Sequence, residues 1–294
     1  NTVGSSLITF FPSAFEMVLQ MLSQAPPYLY KNLISCLTYF TLIGKPFLPY
    51  FDHYLSVLLN IYQQPNFEMD FKLKIVSSIS MICTNLSIPI QNVETAFQNF
   101  LNDFIQIIQE NQIDEYSNEK FFKSITALLR YLGNNASQLI MVLLPRALEK
   151  SNEDIQIVQI QKLEKMEATG FTEISETETY YRNFALDSDI QTVTRALSIL
   201  NNILTSMKLN ARPFIQDFIN ANQKWILNQY QIETIKPSAW VNLNTLINIY
   251  VKEPEMEDFI NLFFDDFNAT IDKTTVSIGF IVLQNLSNIM ELEK

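Results

Sequence analysis

Apolar residues recur every three or four positions along most of this chain, and polar or turn-forming residues interrupt the recurrence at nearly regular points. Leu29, Leu33, Leu37, Phe40 and Ile43 share one helical face, and beyond Gly44 a second stripe begins with Phe51, Leu55, Leu58 and Leu59. The same spacing predicts helices over 71–86, 93–108, 121–132 and 139–148. It resumes over 193–204, 214–227, 240–251 and 256–267, with a last helix over 274–292. An initial helix over 11–22 reads as the second half of a cut unit, closed by Ala25-Pro26-Pro27.

The breaks inside successive pairs fall at Gly44, Ser87-Ile88-Pro89, Asn134-Asn135, Asn210 and Glu253-Pro254. Taking positions 44, 88, 134, 210 and 253, the intervals are 44, 46, 76 and 43 residues. Three match the period of HEAT or armadillo helix pairs, and the long one is a repeat carrying about 30 extra residues. The expected fold class is therefore all-α, a HEAT-repeat superhelical solenoid of antiparallel helix pairs with one repeat interrupted. The whole of 1–294 reads as a single array of about five full pairs plus partial end repeats. Because it begins at Asn1 without a basic leader, it reads as a piece of a longer array.

The interruption spans 154–188. Residues 155–160 partly alternate, 162–181 are rich in charge and threonine, and 149–189 hold ten acidic against four basic residues. Some 35 residues bury little core alone, so this is an insertion within the array. Within 139–148, Pro145 is expected to kink or delay the helix because it lacks a backbone donor.

Composition narrows the chemistry. Five glycines and eleven prolines leave little material for hairpins or phosphate-cradling loops. A net charge of −11 repels nucleic-acid backbones and favours basic partners, so no direct nucleic-acid contact is expected. No apolar run reaches the roughly 18 residues that span a bilayer, so no membrane insertion is expected. Cys36 and Cys83 both sit in apolar helical runs and read as small buried hydrophobes of a reducing compartment.

No catalytic motif stands out. His53 is the only histidine and reads as a surface side chain near a turn; no zinc spacing and no glycine-rich nucleotide loop occurs. The expectation is no enzyme, no cofactor and no metal. Acidic residues instead recur on second helices, at Asp52, Glu94, Asp103, Glu149 and Asp217. Over 255–267, Glu255, Asp258 and Asp265 form one row apart from an apolar arc of Met256, Phe259, Ile260, Phe263 and Phe267. The candidate partner-binding residues are Asp217, Trp225, Glu255, Asp258 and Asp265, with Trp225 as an aromatic anchor or a core residue.

Two features carry a family resemblance. Gly44-Lys45-Pro46-Phe47-Leu48-Pro49-Tyr50-Phe51 resembles the inter-helix turn frequent in HEAT repeats of β-karyopherins. The ordered set of a Leu144-Pro145 helix, an insertion with Met166-Glu167 and Gly170-Phe171-Thr172-Glu173, and a helix leading to Arg212-Pro213-Phe214 resembles the middle of the importin-5 type of nuclear transport receptor. Phe171 stands where that group carries a tryptophan. The resemblance implies an importin-beta-like receptor that shuttles between cytoplasm and nucleus, binds Lys/Arg-rich cargo on an acidic concave surface, and answers to Ran-GTP and nucleoporins. A different expectation, from the fold alone, is a HEAT-repeat scaffold that assembles a multiprotein complex through mixed patches.

Overall fold

The computed structural model of the chain describes residues 2–41, 44–65, 68–155, 157–160, 182–185, 187–226, 234–251, 253–254, 256–258, 260–261, 264 and 283–284. Two compact units, Asn1–Val142 and Leu143–Lys294, are distinguished by their contacts. The first contains α1 (Thr2–Gln24), α2 (Pro27–Phe40), α3 (Phe51–Tyr62), α4 (Met69–Asn85), α5 (Glu94–Gln109), α6 (Glu119–Leu132) and the start of α7 (Ser137–Asn152). The second holds the rest of α7, the strands β1 (Ile157–Ile160) and β2 (Arg182–Ala185), α8 (Asp187–Met207), α9 (Ile215–Ile226) and α10 (Lys236–Tyr250).

Each helix follows from its stripe. In α6, Phe121, Ile125, Leu128, Leu129 and Leu132 are buried while Lys123 and Arg130 are exposed. Asn118 caps the helix by accepting the Phe121 N–H at 3.0 Å, Glu119 occupies the first turn and Arg130 the last, in keeping with the helix dipole. Helix α7 runs through Pro145 without ending there, so the proline removes one backbone bond and does not delay the helix.

First helices pack on first helices. In the first unit α2 lies against α4 and α4 against α6; in the second, α8 lies against α10. The turn at 44–51 shows how a pair is closed. Gly44 has φ 79°, a 3-10 turn covers Lys45–Tyr50, and Phe47 is driven into a ring cluster with Phe15 at 5.1 Å and Tyr54 at 5.7 Å. The motif that carries the family resemblance is thus a core plug.

The breaks have a common backbone signature. Left-handed residues occur at Gly44, Ser87, Gly133 and Lys208, each leading into a 3-10 segment, and these four positions are 43, 46 and 75 residues apart. A left-handed residue reverses a helix end abruptly, and glycine does this without a Cβ clash. Only two of the four positions use it.

Most side-chain hydrogen bonds between units of the repeat show the same period, although Ser124 to the Leu73 carbonyl spans 51 residues. Tyr62 to Asp103, Tyr131 to the Ile88 carbonyl, Asn242 to the Leu197 carbonyl, Thr245 to Asn201 and Tyr250 to the Lys208 carbonyl span 41, 43, 45, 44 and 42 residues respectively. Across the interruption the separation jumps: the Trp225 indole donates to the Ser151 carbonyl 74 residues earlier. The interruption begins and ends in a two-stranded antiparallel ribbon, with Ile157 opposite Ala185 and Ile160 opposite Arg182. The later part of the alternation expected at 155–160 is thereby realised as a strand, Ile157–Ile160. Residues 161–181, including Met166 and Phe171, lie outside the described residues, as does most of the helix expected over 274–292.

The cysteines divide. Cys83 is fully buried, whereas Cys36 is exposed, against the expectation that both are buried. Helix α2 buries a narrow face through Ile34 and Leu37, and Cys36 lies one residue, about 100° of helix, off that face. Burial also pushes the Cys83 thiol up to about 12. A disulfide-exchange reagent at pH 8 will therefore modify one thiol per native chain, and two only after denaturation; Cys36→Ser will abolish the native reaction. Ser87→Gly removes a left-handed penalty of about 1–2 kcal/mol and adds about 0.5–1 kcal/mol of unfolded-state entropy. Urea denaturation should show a net gain of up to about 1.5 kcal/mol.

Candidate partner-binding surface of the second helices

Three of the second helices, α3, α5 and α9, share a feature that α7 lacks. An acidic residue sits in the first turn: Asp52 in α3, Glu94 in α5, Asp217 in α9. All three are exposed. Each carboxylate faces the partial positive charge of its own helix start, which alone accounts for an acid at that position.

Beyond the first turn, amides lead the stripe. Helix α5 buries Phe97, Phe100, Leu101 and Phe104 and exposes Gln98, Asn102 and Gln106, spaced by one helical turn. Gln98 donates to Asn102 at 3.2 Å and Gln106 to Glu110 at 2.9 Å. In α9, Gln216 donates to Asn220 at 2.9 Å in the same way. Helices α5 and α9 thus present amides punctuated by carboxylates, a more mixed surface than the acidic one expected.

Between α3 and α5 lies a groove of about 340 Å³ lined by Tyr62, Gln63, Lys72, Asn99, Asn102 and Asp103, among others. The Tyr62 hydroxyl donates to Asp103 at 2.6 Å, and the Lys72 ammonium sits 5.4 Å from the centre of the Tyr62 ring. Burial, and then the hydrogen bond to the Asp103 carboxylate, hold the Tyr62 phenol well above its usual range. Asp103 was legible as a second-helix acid. Its partner was not, although Tyr62 stands one repeat earlier.

The candidate residues separate. Asp217 is exposed in the first turn of α9, and Asp258 is exposed. Glu255 and Asp265 lie outside the described residues, so the acidic row is seen only at Asp258. Trp225 is 1% exposed, and as an aromatic anchor for a partner it is corrected. The apolar face of α9 turns it inward beside Phe218, Ala221 and Ile226, and its indole N–H donates to the Ser151 carbonyl at 2.6 Å. Lys224 completes this junction. Its ammonium donates to the Asn152 and Glu153 carbonyls at 2.6 and 3.1 Å and to Asp154 at 3.0 Å, capping the C-terminal end of α7.

His53 is exposed, with Nδ1 3.6 Å from a Glu16 carboxylate oxygen. No group of three or more metal-ligating side chains occurs among the described residues. No helix among them is long and apolar enough to cross a membrane.

Helix pairs packed first helix on first helix, with cross-repeat bonds about 43 residues apart, define an all-α HEAT-repeat protein. No family model and no curated protein matches the sequence. Solved structures do match in fold. A crystal structure of Kap121p aligns with 99% of this chain and 28% of its own at a TM-score of 0.71 and 12% identity. Kap121p bound to Ste12p gives 0.72 at the same identity and coverage. Importin beta aligns with 97% of this chain and 37% of its own, at 0.58 and 11% identity. The chain therefore has the HEAT-repeat fold of karyopherins and spans little more than a quarter of Kap121p.

The burial of Trp225 sets a measurable consequence. Trp225→Phe leaves the Ser151 carbonyl without its donor and opens space beside α9, so urea denaturation should show a loss of about 1–4 kcal/mol.

Proposed function

We propose that this chain is part of a nuclear transport receptor of the importin-beta class, resembling the importin-5 type, and that it binds basic segments of cargo proteins along its second helices. In this reading 1–294 is one continuous HEAT array with an acidic insertion at 154–188. Ran-GTP dependence, nucleoporin contact and shuttling between cytoplasm and nucleus belong to it through the family resemblance. It calls for no cofactor and no catalytic step.

The observation that carries the reading is the recurrent stripe: an exposed carboxylate in the first turn of α3, α5 and α9, followed in α5 and α9 by hydrogen-bonding amides. Amide side chains offer both donors and acceptors, which suit the main chain of an extended segment, while the carboxylates suit its lysines and arginines. The net charge of −11 adds long-range attraction for such a segment. Karyopherin structures similar in fold are of Kap121p bound to Ste12p, to Pho4p and to the SUMO protease Ulp1p, which supports a protein ligand here.

The mixed character of the stripe also suits a second reading, a HEAT scaffold whose partner is held by amide and apolar contacts. Salt separates the two. Fluorescence anisotropy with a Lys/Arg-rich peptide should show binding that weakens about tenfold or more from 50 to 300 mM salt. The triple change Asp52→Asn, Glu94→Gln, Asp217→Asn should weaken it a further several-fold. Absence of binding, or affinity indifferent to both, would reject the transport reading in favour of the scaffold.

A further inference from the structure

The first helices hold a feature that the second-helix stripe does not explain. Between α2, α4 and α6 lies a pocket of about 520 Å³ to which Lys31, Lys74, Lys120 and Lys123 all contribute. The chain has only 20 basic residues against 31 acidic, so four lysines around one cavity invert the local charge of an acidic protein.

The acids of the pocket do not neutralise it. Lys120 is paired with Asp70 and Lys123 with Glu119. Among the described residues, Lys31 and Lys74 have no carboxylate within ion-pair distance, and the remaining acid of the lining, Glu68, is exposed just ahead of α4. The cavity therefore retains two uncompensated ammonium groups against one free carboxylate. Lys74 is half-buried, and its ammonium is held below the usual lysine range by burial and then by repulsion from Lys31 and Lys123. An ammonium that is desolvated and faces other ammoniums is an arrangement an anion would relieve.

We propose that this pocket binds a phosphoryl group, with Lys31, Lys74 and Lys123 as its cationic contacts. A phosphoryl group offers three acceptor oxygens to several ammonium groups at once, whereas a carboxylate offers two; lysines act on phosphate as point charges and need no forked geometry. Ser77 lines the same cavity and adds a hydroxyl donor, and Phe71 and Leu73 form apolar lining. The site is separate from the second-helix stripe: its residues belong to first helices or, for Glu68, to the residue before one. Its fate is independent of the transport reading.

The phosphoryl group can arrive on a phosphorylated protein segment or as a soluble polyphosphate, and two probes distinguish these sources. Isothermal titration at about 0.15 M salt would use pyrophosphate in one arm and a phosphoserine peptide, with its unphosphorylated form as control, in the other. Binding of either phosphorylated probe is expected, weakened at least about fivefold by Lys74→Met and by Lys31→Met and unchanged by Lys45→Met, an exposed lysine outside the pocket. Pyrophosphate binding identifies a soluble ligand; peptide binding alone identifies a phosphorylated segment.

A second readout guards against a folding defect. With lysines reductively methylated using ¹³C-formaldehyde, the Lys74 resonance, assigned by its loss in Lys74→Met, should titrate below the other lysines and move upward when the bound probe is added. Failure of both probes to bind, binding indifferent to Lys31 and Lys74, or a Lys74 titration that the probe does not move would each overturn the proposal.

Discussion

Every pair in this chain depends on its neighbour to finish it. A helix pair has two apolar faces and two frayed ends, and neither can be satisfied from within some 40 residues. The following repeat supplies what is missing. Tyr131, near the end of α6, donates its hydroxyl to the Ile88 carbonyl in the break of the preceding pair, and Tyr250, at the end of α10, does the same for Lys208. Both reach back to the place where a left-handed residue has turned the chain away from helical bonding. The spacing is held because the donor must arrive one repeat later at the right height.

This dependence explains why much of the fold could be read from the sequence. Amphipathic stripes and breaks are local, and Gly44 and Gly133 mark two of the four left-handed breaks inside helix pairs in the letters themselves. Ser87 and Lys208 do the same work without announcing it, because their conformation is imposed by the packed helices on either side. Cross-repeat partners were hidden for a related reason: Tyr62 and Asp103 meet through stacking, and no local pattern sets their distance. Trp225 stands open between anchor and core in the sequence because periodicity places a residue on a face but does not say what covers that face. What covers it is the end of α7, beyond the interruption.

The candidate surface was legible in its acids and not in its amides. Asp52, Glu94 and Asp217 stand out as charges, yet each also serves its own helix start, so the same side chain answers to local electrostatics and remains turned to solvent. The glutamines and asparagines between them carry no charge and are common throughout the chain; only the hydrogen bonds along α5 and α9 show that they form lines. The lysines of the first helices were invisible for the opposite reason. Lys31, Lys74 and Lys123 are scattered over some 90 positions, and stacking alone brings them to one cavity.

The ribbon at the interruption bears on how the molecule carries force. Ile160 and Arg182 face each other across paired strands, while Trp225 and Lys224 fasten α9 to the end of α7 directly. Tension drawn between α7 and α9 would fall first on that indole and ammonium rather than on the strand pairing. The two ends of the interruption are thus stitched twice, by side chains and by strands, and one seam can give way without undoing the other.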